Sequence, residues 1–115
     1  MSSTAPKITK SERALLRELA EEAWNAELYD HLLELYEDFG YWAEDSMSAL
    51  DLVEKIHEFH DGVARELYKR YAMLDPTISV ARAVALGFVG EEALGESLGR
   101  KLAREIQAFR ETKDD

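Results

Sequence analysis

With 115 residues, 46% of them hydrophobic and 33% charged, the chain has the composition of one globular domain, since a disordered chain would carry too little apolar surface to bury. The absence of cysteine excludes a disulfide framework, a thiolate metal site and a cysteine nucleophile. The formal charge of −10 is local: between Glu18 and Asp61, 14 carboxylates face one basic side chain, Lys55, whereas residues 62–115 hold nine acids and nine bases and residues 1–17 sum to +3.

The chain ends, 1–7 and 113–115, are polar and have no apolar periodicity, so they are expected to be flexible tails around a single helical domain at 8–112. Residues 1–20 lack the apolar core of a secretory signal. The longest apolar-rich run, Ile78 to Val89, falls well short of the ~20 residues that span a bilayer. The expectation is a cytoplasmic protein with no membrane segment.

Apolar residues recur at helical spacing nearly throughout, and strand alternation is absent. The first helix is predicted from Thr9, which stands three residues before Glu12 in a capping-box arrangement, to Phe39, with Gly40 taking the left-handed conformation beyond it. Leu28, Leu32, Leu35 and Phe39 trace its stripe. At a rise of ~1.5 Å per residue such a helix is about 44 Å long, more than a domain of this mass needs. It either breaks midway or reaches a partner subunit.

A second capping box, Ser48 with Asp51, predicts a helix running to Leu74 and burying Val53, Ile56, His60, Val63, Leu67 and Tyr71. Asp75 followed by Pro76 marks a restart, because the carboxylate accepts from free backbone amides and proline loses no hydrogen bond at the first helical position. The third helix, Pro76 to about Phe88, is apolar nearly all round and is predicted to be innermost. A fourth, from Glu91 or Glu92 to about Glu111, carries Leu94, Leu98, Leu102, Ile106 and Phe109. Gly95 and Gly99 weaken its first turns by about 1 kcal/mol each relative to alanine. The fold class that follows is all-α: an antiparallel four-helix bundle with a long first helix, assembled as a dimer.

Three constellations bear on function. The acidic stretch costs self-repulsion that a cationic partner would relieve, and Glu27, Asp30, Glu34, Glu37 and Asp38 form its candidate binding face. Tyr41 and Trp42, beside Tyr36 and Phe39, are the aromatic anchors, since rings with a polar handle suit surfaces that are apolar on one side and wet on the other. The competing structural reading has the same carboxylates solvated, or balanced by Arg100, Lys101, Arg104 and Arg110 of the last helix. Direct nucleic-acid binding is not expected, because it needs a concentrated basic surface.

The second constellation is Glu54, His57, His60 and Asp61, whose steps of three and four bring nitrogen and oxygen donors onto neighbouring faces of one helix, as a metal site requires. A di-iron bundle needs the Glu-x-x-His pair twice, and it occurs here once, with Glu27 and His31 the nearest second contribution at a different spacing. The third is Arg65, Lys69 and Arg70 after Gly62, an anion-binding candidate that lacks the usual glycine-rich loop. Ser46, Ser48, Ser79 and Ser97 belong to no nucleophile motif, so no catalytic residue is assigned. The reading that results is a small, acidic, non-enzymatic interaction or regulatory module without a cofactor, acting on a basic protein partner. The alternatives are a metal-binding helical protein and a self-assembling structural subunit.

Overall fold

Thr9 and Glu12 set where the first helix begins. The backbone N–H of Glu12 donates to Thr9 Oγ1 at 3.1 Å and that of Thr9 to Glu12 Oε1 at 2.9 Å, which satisfies two amides that the first turn leaves open. This is seen in a computed structural model that describes residues 7–112 and is all-helical, with no strand among those residues. The expected tails, 1–7 and 113–115, lie outside them except for Lys7.

The helices are α1 (Lys10–Ala43), α2 (Ala49–Glu58), α3 (Arg65–Tyr68), α4 (Pro76–Leu86) and α5 (Gly95–Thr112). Two π-helical stretches, Phe59–Ala64 and Lys69–Met73, link α2 and α3 into one helical run over 49–73, and a 3₁₀ turn, Glu91–Leu94, precedes α5. By their internal contacts the described residues group into two compact units. One takes in residues 7–23 together with 74–112; the other is Trp24–Met73. α1 supplies residues to both.

In the first unit, Leu16, Leu19, Ala20 and Ala23 put one buried stripe of α1 beside α4 and α5. α4 buries Ser79, Val80, Ala81, Ala83, Val84 and Ala85, as its nearly uniform apolar composition predicts. Asp75 caps it, accepting from the Thr77 N–H at 2.8 Å. Gly87, at φ 90°, ends it in a Schellman turn in which Phe88 N–H reaches Ala83 O at 2.9 Å. α5 buries Leu98, Leu102 and Ile106 on the predicted stripe. Gly95 is not a weak interior position but the joint between the 3₁₀ turn and α5, and its φ of 79° with ψ of 167° is a conformation that only glycine adopts without strain.

The second unit is an antiparallel hairpin of α1 residues 24–43 and the run 49–73. α1 does not stop before Gly40; it continues to Ala43, and Asp45 takes the left-handed position at φ 65°. Ser46 N–H bonds to Tyr41 O at 2.8 Å and Asp45 N–H to Trp42 O at 3.1 Å, another Schellman pattern. Ser48 then caps the return arm through the Asp51 N–H at 3.0 Å.

The stripe predicted for that arm is partly wrong. Leu52, Leu67 and Tyr71 are buried and Val63 is half-buried, but Val53 and Ile56 are exposed (55% and 38%), as is His60. Phe59, Val63, Leu67 and Tyr71 step by four residues. In an α-helix of 3.6 residues per turn each such step drifts by about 40°, which would carry Tyr71 off the face that Phe59 occupies. π turns hold more residues per turn and undo that drift, so all four stay against α1.

Candidate interaction surface

The hairpin seam is polar at one end. Tyr71 donates its hydroxyl to Glu27 Oε1 at 2.7 Å, with Glu27 only 6% exposed. Trp24 stacks on Tyr71 at a centroid distance of 6.0 to 6.2 Å from both neighbouring rings, near-parallel to Tyr71 and tilted against Tyr68. Its indole Nε1 is buried and meets no acceptor among the described residues. Glu27 therefore does not belong to the exposed acidic face assigned to it from sequence; its side chain is part of the seam. Sequence spacing carried a signal for this, since Glu27 lies three residues from Trp24 and four from His31, both half-buried on the same α1 stripe.

The remaining predicted residues keep more of their exposure. Asp30, Glu34 and Glu37 are exposed and Asp38 is half-buried. Glu34 and Asp38 line a groove between the two arms with His31, Leu35, Lys55, Glu58 and Phe59. His31 Nδ1 lies 3.2 Å from Glu34 Oε1. At the hairpin tip Tyr41 and Trp42 are 48% and 45% exposed, and Phe39 meets Trp42 edge-on at 6.5 Å. The last turn of α1 thus holds two aromatic rings at the hairpin tip, one turn beyond Asp38 of the carboxylate-lined groove.

Three cations of α5 pair with acids of their own unit. Lys101 Nζ binds Glu12 Oε1 at 2.7 Å, Arg110 binds Glu91 at 3.0 Å, and Arg100 lies 3.4 Å from Glu96 on its own helix. All three acids lie outside the stretch from Glu18 to Asp61. The Lys101 ammonium, then the Thr9 backbone and the Ser97 hydroxyl, hold the Glu12 carboxyl down at a pKa of about 2 against a partial desolvation that opposes them. Asp75 is also lowered, chiefly by its bonds from Thr77.

The metal reading loses its geometric basis. Glu54, His57, His60 and Asp61 are all exposed on the return arm, and His57 Nδ1 approaches Asp61 Oδ2 only to 3.7 Å. Among the described residues, no three His, Asp or Glu side chains converge as a ligand set. The π stretch Phe59–Ala64, which no sequence signal announced, alters the three- and four-residue spacing on which that expectation relied.

The other side of the hairpin is apolar and uncovered. α1 exposes Tyr29 (60%), Leu32, Leu33, Tyr36 (73%) and Phe39, in which Tyr29, Leu32, Tyr36 and Phe39 step by three, four and three and Leu33 lies beside Leu32; sequence analysis had merged Leu32 and Phe39 with the seam stripe. The return arm exposes Val53, Ile56, His60 and Tyr68, with half-buried Ala64 between the last two. On α1 the exposed stripe is rotated about 130° from the seam stripe, and on the return arm about 90–100° in the same rotational sense. Because the arms run antiparallel, one sense of rotation on both places both stripes on one side of the hairpin, opposite the carboxylate-lined groove.

No family model matches the chain, and neither the curated proteins nor the solved structures include a significant match.

Proposed function

We propose that the protein is a non-enzymatic interaction module whose hairpin, Trp24–Met73, presents a carboxylate-rich face to a basic protein partner, and that copies of the chain associate as dimers that complete a helical bundle. What supports the reading is that Lys101, Arg110 and Arg100 engage Glu12, Glu91 and Glu96, leaving Asp30, Glu34 and Glu37 exposed on one side of the hairpin. The field of these carboxylates steers a cationic surface toward the groove, and Tyr41 and Trp42 then anchor it by burying apolar area. Glu27 takes no part in this face.

The test is partner capture by the full chain at low and then high salt, since exposed charges interact over a Debye length that shrinks with ionic strength. Capture that fades with salt and vanishes in the Glu34→Lys, Glu37→Lys double variant supports the reading. Capture indifferent to both excludes it.

A further inference from the structure

The apolar side of the hairpin fits a second copy of the same chain, and we infer that two hairpins pack face to face and head to tail, the tip of each against the base of the other. The inference rests on the self-association just proposed and gives it a geometry; its apolar seam lies on the side opposite the acidic face.

A two-helix layer cannot cover its own second stripe, and stable domains solve this by adding a second layer. Weighted by their exposures, the apolar side chains of this face amount to roughly 800 Å² per copy, the ~800 Å² per partner of a standard specific interface. The α1 stripe also has similar residues at both ends. Tyr29 and Phe39 lie five residues to either side of position 34, so an antiparallel α1 crossing there places Tyr29 on Phe39 of the second copy, as a self-complementary two-fold interface requires.

Charge decides the direction. The tip half of the hairpin, residues 34–58, holds eight carboxylates against Lys55 alone, whereas residues 59–73 hold Arg65, Lys69 and Arg70 against Asp61 and Glu66. Packing tip to tip stacks like charge on like. Packing head to tail lays each 49–73 run along its counterpart, with exposed Arg65 and Lys69 of one copy beside exposed Glu54 of the other at the rim of the apolar seam. Ala64 supports the same seating: with His60, Arg65 and Tyr68 it forms a shallow depression on this face, a hole for a side chain from the opposing helix.

Light scattering on the full chain is expected to give a dimer mass, and a monomer at the same concentration overturns the inference. The Leu33→Asp, Tyr36→Asp variant alters only exposed positions, so its helical circular dichroism should persist while the mass halves; a folded variant that stays dimeric also overturns it. Because the chain has no cysteine, Ser46→Cys places one spin label at each tip. Head-to-tail packing separates the labels by about the length of the 49–73 run, some 35–40 Å. Labels within about 20 Å refute that packing while leaving dimerisation itself intact. Lys69→Glu should weaken the dimer about tenfold at low salt and Glu54→Lys in the same chain should restore it; failure of that restoration counts against the rim contact. The Glu34→Lys, Glu37→Lys variant should remain dimeric, which separates this seam from the partner-binding face.

Discussion

Tyr71 and Glu27 lie 44 positions apart and meet inside the hairpin seam, hydroxyl to carboxyl at 2.7 Å. The bond ties the beginning of one arm to the end of the other where Trp24 stacks on Tyr71. Removing the hydroxyl leaves a buried carboxyl oxygen without that donor. Tyr71→Phe is therefore expected to destabilise the protein by about 1–3 kcal/mol, read as a lower urea midpoint at unchanged slope.

Glu12 makes the stability of the fold sensitive to acid. Its carboxyl has a lower pKa folded, about 2, than the ordinary 4.5, so its contribution is fully present above about pH 4.5 and is lost as pH falls through about 2. Asp75, also lowered, acts in the same direction below its usual 3.8. Urea midpoints measured from pH 6 to pH 2 should fall across this window, and Glu12→Gln should flatten part of the decline while lowering the plateau at neutral pH.

The three positive-φ positions among the described residues should respond differently to substitution. Asp45→Gly is expected to stabilise by about 0.5–1 kcal/mol, because glycine takes the left-handed conformation without a Cβ penalty. Gly87→Ala should cost about 1–2 kcal/mol although a Cβ there meets nothing within 4 Å, so the cost is entirely conformational. Gly95→Ala, in a region still less open to other residues, should cost about 1–3 kcal/mol. Thermal unfolding of the three variants checks the order.

Leu102 and Leu33 contrast a filled core with an open face. Leu102 is 0% exposed and Leu33 is 47% exposed. Leu102→Ala should lose about 2–5 kcal/mol through lost burial and the cavity left behind. Leu33→Ala should change the stability of the isolated chain by less than about 1 kcal/mol, and its effect should appear in the concentration dependence of the melting temperature.

The amino-acid sequence by itself determined the local structure: helices throughout, the caps at Thr9, Ser48 and Asp75, the buried α4 and the Leu98, Leu102, Ile106 stripe of α5. Each of these is encoded within one or two turns, where spacing, capping side chains and the Asp75-Pro76 pair act without reference to the rest of the chain. Only the tertiary structure decided which stripe of a many-sided apolar helix faces inward. On α1, Leu28 and Leu35 share a helix with Tyr29, Leu32, Leu33 and Tyr36, and helical periodicity ranks neither set first. The return arm chose: its π turns keep Phe59, Val63, Leu67 and Tyr71 in line with α1 while Val53 and His60 stay exposed, and Tyr71 meets Glu27 inside the seam. A stripe is a property of one helix, but an inside exists only once a second helix lies against it.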